Sequence, residues 1–282
     1  MALMIDKVDP NGAEPWFGWA LAARDARVWR RPGAAVVACP GLAHWDRLAM
    51  SGEPDALAGL LRTVYTEIDG DFRPFGSEEL VTAVVARMPE LEVSARFAWM
   101  ETTDPLGPGG TGRSAGGAER SVGGTERPAG DAERPAGDAE RPTGGTGRPA
   151  GGTQRAAWLT EDAWPEVTAL IERDFPESYA RPGGLDVRRW AGIRDDDGTL
   201  LVVAAEAWSS AEIGFVAGVA TRADARGRGL AAALCTFVTN EQLAAPDRTR
   251  VALIVDYSNV AAVSAYTRMG LKRRPVAAAR RR

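Results

Sequence analysis

The chain is short of the residues that build metal centres and covalent frameworks. It holds two cysteines and one histidine in 282 residues. Cys39 and Cys235 stand far apart in unlike contexts, so there is neither a disulfide framework nor a CxxC metal pair, which suits a reducing cytosol. The single histidine, His44 in "GLAHWDRL", reads as a surface or core residue rather than a catalyst. Positive charge is not in excess either. A formal net charge of −4 argues against a nucleic-acid-binding protein held by a broad basic surface. Long apolar runs are missing: none approaches the roughly 20 residues that span a bilayer. The start "MALMIDKVDPNG" lacks the basic patch and apolar core of a signal peptide. These absences point to a soluble cytoplasmic protein with no metal, no membrane and no nucleic-acid partner.

What the chain has in quantity marks its organisation. From 111 to 152 it reads TGRSAGG, AERSVGG, TERPAGD, AERPAGD, AERPTGG, TGRPAGG, a repeat of seven with almost no apolar side chain. Without an apolar seam it is no coiled coil. It cannot bury enough surface to offset its ordering entropy, so 105–155 is expected to be a disordered linker.

Residues 1–104 are expected to form a smaller α/β domain. "ARVWRRPGAAVVACPG" reads as strand, turn and strand, and "EPDALAGLLRTVYTEI" as a helix with Leu57, Leu60, Leu61, Val64 and Ile68 on one face. Ser77 is a plausible cap for a helix in "SEELVTAVVARM" that Pro89 stops, and "LEVSARFAWM" alternates like a strand. Trp16, Trp19, Trp29, Trp45 and Trp99 are expected to pack a core or an interface.

Residues 156–282 alternate more regularly. Thr160 reads as the cap of a helix in "TEDAWPEVTALIERDF". Two strands flank the Asp197-Gly198 turn, and "AEIGFVAGVAT" is a third. "GRGLAAALCTFVTNEQLAA" is a helix, "RVALIVDY" a buried strand, and "NVAAVSAYTRMG" a helix capped by Asn259 and closed by Gly270. A last short strand begins at Leu271, and Arg280–Arg282 read as a solvated tail.

The stretch "TRADARGRGLAAAL" suggests a phosphate site, because a helix start offers unpaired N–H groups and a positive dipole end. A nucleoside-triphosphate loop needs a Lys that is absent here. A dinucleotide loop needs its first glycine directly after the strand, but "TRADAR" intervenes after Val219, and the only candidate acid, Asp247, follows no strand. Arg226-Gly227-Arg228-Gly229-Leu230-Ala231 resembles the R/Q-x-x-G-x-G/A motif of the GNAT N-acetyltransferases. "DYSNVAAVSAYTRMGL" is similar to the family's N-x-x-A-x-x-x-Y-x-x-x-G-[FL] segment, with Asn259, Ala262, Tyr266, Gly270 and Leu271 in register. The resemblance covers about 156–282. The whole chain resembles two-part bacterial members whose first half is a degenerate copy of the same fold.

The resemblance implies an α/β (α+β) GNAT fold: a mixed, mostly antiparallel sheet flanked by helices. It implies that the strand ending at Val219 and Thr221 splays from the next strand near Leu253, and that acetyl-CoA lies in the gap as acyl donor. The backbone from Gly227 to Ala231 would face its phosphates, with Arg226 and Arg228 assisting; Asn259 would contact the cofactor arm, and the N–H near Val219 would face the thioester oxygen. Tyr266 would be the acid for the leaving thiolate, a phenol near pKa 10 being matched to it. For the base, Glu212 comes first, then Glu206 and Asp256. Cys235 reads as core filler. The acceptor, a small-molecule or peptide amine, would enter near "DFPESYARPGGLD", where Glu177, Tyr179 and Arg181 are candidate lining residues. Oligomeric state stays open. A second reading is a coenzyme-binding sensor or scaffold without turnover, since the family usually ends with a further strand that this C-terminus lacks.

Overall fold

The computed structural model describes residues 14–107 and 155–282, and the seven-residue repeats lie outside the described residues. Before them come α1 (Pro15–Leu21), β1 (Arg27–Arg31), β2 (Ala34–Leu42), β3 (Trp45–Gly52), α2 (Pro54–Glu67), β4 (Arg73–Ser77), α3 (Glu78–Val85) and β5 (Leu91–Thr102). After them come β6 (Ala157–Trp158), α4 (Trp164–Asp174), β7 (Val187–Arg194), β8 (Leu200–Ala207), β9 (Ile213–Thr221), α5 (Leu230–Leu243), β10 (Arg250–Asp256), α6 (Val260–Met269) and β11 (Lys272–Arg281).

Local chemistry accounts for most of these boundaries. Helix α2 buries Leu57, Leu60, Leu61 and Val64, the face its period-3.6 pattern requires. Ser77 Oγ accepts from the Leu80 amide at 3.2 Å and so caps α3, which ends at Val85, short of Pro89. Thr160 departs from expectation. Its hydroxyl bonds to the Asp162 carboxylate instead of a helix amide, and α4 starts later, at Trp164, after a 3-10 turn. The nearby carboxylate competes for the hydroxyl, so the cap is lost.

All eleven strands join one sheet in the order β1-β2-β3-β4-β11-β5-β10-β9-β8-β7-β6. Helices α2, α3, α5 and α6 pack on one face, and α1 and α4 on the other. The order in the middle is not sequential. Strand β5, from before the repeats, pairs with β10 from Val251↔Thr102 to Asp256↔Phe97. Strand β11, from the end of the chain, lies between β4 and β5. Each part of the chain therefore places its last strand in the sheet of the other.

This exchange corrects two expectations. The last strand is ten residues long, not short. Nor is the terminal arginine run a solvated tail: Arg280 pairs with Glu92 at 2.7 Å, Arg281 donates to the Gly70 carbonyl at 2.7 Å, and the Arg282 amide bonds to the Glu90 carbonyl at 3.0 Å. The edge of β10 that a missing strand would have left bare is covered by β5.

A buried carboxylate fastens the exchange. Glu101 on β5 accepts from Arg250 of β10 at 3.0 Å, from Arg274 of β11 at 2.8 Å and from the Trp99 indole at 2.9 Å. The chain also stays packed beyond the expected boundary at 104. Buried Leu106 is held by Asn240 of α5, whose side chain accepts its N–H at 2.7 Å and donates to its carbonyl at 2.9 Å.

Candidate active site

Strands β9 and β10 run parallel but pair over three positions only: Ile213↔Arg250, Gly214↔Val251 and Phe215↔Ala252. Beyond Phe215 they diverge, and the register of β9 with β8 gives the cause. Pairing runs Glu206↔Val216 and Ala205↔Ala217, then resumes at Val203↔Ala220 and Val202↔Thr221. One extra residue on β9 makes a bulge, and a bulge bends its strand. Gly218 sits there with φ +60°, and a Cβ on it would fall 2.6 Å from the Trp190 ring. Gly218 and Val219 belong to neither ladder, so Val219 stands on the wall of the cleft. Val216, Leu253, Val255 and Tyr266 share one apolar cluster beside it.

After Thr221 the chain makes a 3-10 turn, Ala223–Ala225, and then the glycine loop. Gly227 and Gly229 both have φ +76°, and a Cβ on either would meet nothing within 4 Å. Gly229 is the N-cap of α5 and supplies no side-chain cap, and the first turn has no acid. No side chain caps the first amides of this 14-residue helix at its positive end, which suits an anion. The Arg226 side chain turns back to the loop, donating to the Thr221 carbonyl at 3.2 Å and the Asp174 carbonyl at 3.1 Å. Asp174 is a residue that sequence reasoning missed. Its buried carboxylate accepts the Ala223 amide at 3.0 Å and holds the turn in place. Only its place in the last turn of α4, before the loop "FPESYARPGG", hinted at a role. Arg228 is exposed at the loop surface.

Asn259 Oδ1 accepts the Ala262 amide at 3.1 Å and caps α6, and Gly270 closes that helix with φ +102°. Tyr266 is buried, its hydroxyl bonded to the Cys235 sulfur of α5. Burial, with Cys235 beside it, lifts the phenol well above its ordinary value of 10, where the sequence had led us to expect a value near 10. Burial also pushes the Cys235 thiol up to about 12, so it is no nucleophile at neutral pH.

The three candidate acids lie in different places. Glu212 is exposed just before β9, at the closed end of the strand pair, where its carbonyl accepts from Thr249 and Arg250. Seven residues at about 3.3 Å each separate it from Val219, beyond the reach of its side chain. The structure therefore does not bring Glu212 to the open cleft. Glu206 is buried; burial alone would raise its pKa, but hydrogen bonds from Arg248 and Arg189, each at 2.9 Å, outweigh that and hold it below the usual range. A carboxylate so committed is a poor base. Asp256 is exposed at the open end of β10.

Strands β3 and β4 repeat the geometry. They too run parallel over three pairs, from Arg47↔Arg73 to Ala49↔Phe75. There, however, α2 begins two residues after Gly52, with Glu53 as N-cap, Pro54 in its first turn and Asp55 behind it. No glycine loop intervenes, and the carboxylates repel an anion.

Residues 164–271 match the profile of the Acetyltransferase (GNAT) family. No curated protein matches the chain. Among solved structures, a GCN5-related N-acetyltransferase from Kribbella flavida is similar at a TM-score of 0.57 and 15% identity, over 94% of this chain and 92% of that one. Another from Sphaerobacter thermophilus has a TM-score of 0.50 and 13% identity, over 89% of this chain and 80% of that one. At these identities the likeness is one of fold.

Proposed function

We propose, from the match of residues 164–271 to the acetyltransferase (GNAT) family, that the protein transfers an acetyl group from acetyl-CoA to an amine within a ternary complex. One observation carries the reading. A strand pair opens at a glycine bulge, and β9 leads through a short turn into a glycine loop at the start of α5, which no side chain caps. Gly227 to Ala231 would hold the two phosphates through backbone N–H groups, and Asn259 would contact the pantetheine arm. Bound there, the donor supplies a thioester carbonyl as electrophile.

The chain's own residues do the rest. The Val219 N–H, freed from both ladders by the bulge, is placed to stabilise charge on the carbonyl oxygen. The amine nitrogen attacks the carbonyl carbon; the C–N bond forms and the C–S bond breaks. Tyr266 gives its proton to the departing sulfur, and the amine's proton leaves to water at the open end, beside Asp256. Burial keeps Tyr266 protonated at neutral pH, so it holds a proton to give, but the same burial makes it a weaker acid than the phenol near 10 that the sequence led us to match with the thiolate. We read the part before the repeats as a degenerate copy whose β3–β4 junction has lost its phosphate loop, joined to the catalytic part through the repeats.

Free-thiol release with a broad amine panel and acetyl-, propionyl- and longer acyl-CoAs tests this, with calorimetry for coenzyme A. Tyr266→Phe is expected to slow turnover about a hundredfold or more while leaving coenzyme affinity unchanged. Undiminished turnover in that variant removes Tyr266 from the mechanism. Coenzyme binding with no thiol release from any amine favours the sensor reading instead.

A further inference from the structure

The strand exchange leaves two half-edges inside the sheet. Strand β11 lies beside β4 only from Val276 onward, so Lys272 to Pro275 have no strand on that side. Strand β5 lies beside β10 only from Phe97 onward, so Leu91 to Arg96 have none on theirs. Phe97 and Val276 pair with each other, which makes the two half-edges counterparts. Exposure marks the second as clearly as pairing does: Glu92 to Phe97 are partly or fully exposed, whereas Ala98 to Thr102 are all buried.

Their sequences treat them differently. An open edge invites a stray strand, and charge and proline are the usual guards. The β11 half-edge, Lys272-Arg273-Arg274-Pro275, carries both. The β5 half-edge, Glu92-Val93-Ser94-Ala95-Arg96, has no proline and one basic residue. The proline also shows where the β5 backbone points. Pro275 pairs with Ala98 and has no N–H to give, so that pair is a non-bonded one. Bonded and non-bonded pairs alternate, so Arg96↔Ala277 is non-bonded too. The Arg96 N–H and C=O therefore face away from β11, toward the line that β10 has left. Among the described residues no backbone group meets them there.

This edge begins at the mouth of the cleft. Phe97 is the partner of Asp256, the last residue of β10, about 5 Å away across the ladder. Asp256 is exposed, and among the described residues its carboxylate accepts the Ser258 amide at 2.8 Å and meets no cation, so it can attract a charged amine. The edge is straight for a short way only. Its register with β11 shifts between Ala278 and Ala279, leaving Ser94 as the extra residue of a bulge. The loop expected to line the acceptor site is occupied otherwise: Tyr179 stacks on His44 at 4.4 Å, Arg181 donates to the Pro176 carbonyl at 2.6 Å, and Glu177 points to solvent.

We propose that the acceptor is an extended polypeptide that adds a short strand to β5, bonding the Arg96 N–H and C=O, and so brings its amine past Asp256 into the cleft. Its role as acceptor rests on the acyltransfer reading; the strand site does not.

The test is thiol release and amide hydrogen exchange on the full chain with coenzyme A or its acetyl ester present. The probes are a pool of octapeptides of randomised sequence with a free α-amine, and the same pool with that amine blocked and one central lysine. A copy of each with every backbone amide nitrogen methylated, together with glycinamide and butylamine, supplies amines that cannot form a strand. At least one unmethylated pool should exceed its methylated copy and the small amines in kcat/KM by about tenfold or more, the loss of two hydrogen bonds. Which pool does so tells an α-amine from a lysine. The same pool should slow exchange at 92–96 and leave 272–275 unchanged. Arg96→Pro, which copies the guard of the other half-edge, should erase the advantage; the methylated pools and the exchange data decide the matter if that variant misfolds. Equal kcat/KM for peptides, methylated copies and small amines overturns the proposal. So does slow exchange at 92–96 without peptide, and protection that rises with protein concentration alone assigns the edge to a second copy and overturns it as well. If no amine releases thiol, the acyltransfer reading fails, while exchange at 92–96 with the pools still decides the strand site.

Discussion

Replacing Gly218 by alanine places a methyl 2.6 Å from Cη2 and 3.0 Å from Cζ3 of Trp190, and 3.1 Å from the Ala180 Cβ. The Trp190 ring is fully buried and has nowhere to go. Two terms add. A non-glycine residue at positive φ costs about 1–2 kcal/mol, and forcing atoms into a filled core costs about 1–3 kcal/mol more. The sum is about 2–5 kcal/mol. Gly227→Ala is the control, since its φ of +76° brings the same backbone cost but its methyl meets nothing within 4 Å. It should cost only about 1–2 kcal/mol. At about 2–4 °C per kcal/mol for domains of this size, thermal unfolding followed by circular dichroism should separate the two variants by several degrees. Calorimetry with coenzyme A should reverse their order of severity. The Gly227→Ala methyl stands where the phosphates would lie and should weaken binding at least tenfold, although the fold is nearly intact. Equal melting temperatures would refute the packing of the bulge on Trp190. Unchanged coenzyme affinity in Gly227→Ala would refute the placement of the anion.

Other consequences are as direct. Glu101→Gln strands the buried Arg250 guanidinium and should cost about 3–5 kcal/mol, whereas Arg274→Gln, at a 40% exposed partner, should cost at most about 1 kcal/mol; comparable melting curves for the two would show that Glu101 does not lock the strand exchange. Asp174→Ala releases the Ala223 amide and should weaken coenzyme A binding by roughly 5–30-fold, about 1–2 kcal/mol; an unaltered calorimetric affinity would mean that the turn holds itself. Glu206 has a folded pKa below its unfolded one, so its contribution is present above the unfolded value and is lost as pH falls through the folded value. Stability measured by urea unfolding should therefore drop below about pH 4, and Glu206→Gln should lose that component of the drop.

Much of the site was legible because its chemistry is local. The glycine loop, the apolar helix behind it, the Asn259 cap and the buried strand "RVALIVD" are each set by residues within a few positions of one another. Where the reading failed, a competing or distant group decided. Thr160 lost its cap to a carboxylate two residues away. Glu212 immediately precedes the strand that carries Val219, and strand rise puts the two at opposite ends. Glu206 is acidic in sequence yet spent on Arg248, 42 residues away. Asp174 fastens the turn before the glycine loop across 49 residues, and nothing in its own surroundings announces that.

The sequence by itself marked most of the helices and strands, though not α1, β3, β4 or β6, and it marked the glycine loop at the start of α5. Tertiary structure alone decided which strand lies beside which. Alternation in β5 and β11 declares that their faces are buried but carries no label for a partner. Glu101, whose buried carboxylate meets arginines 149 and 173 residues away, ties β5 to both neighbours only once the chain has brought these strands together.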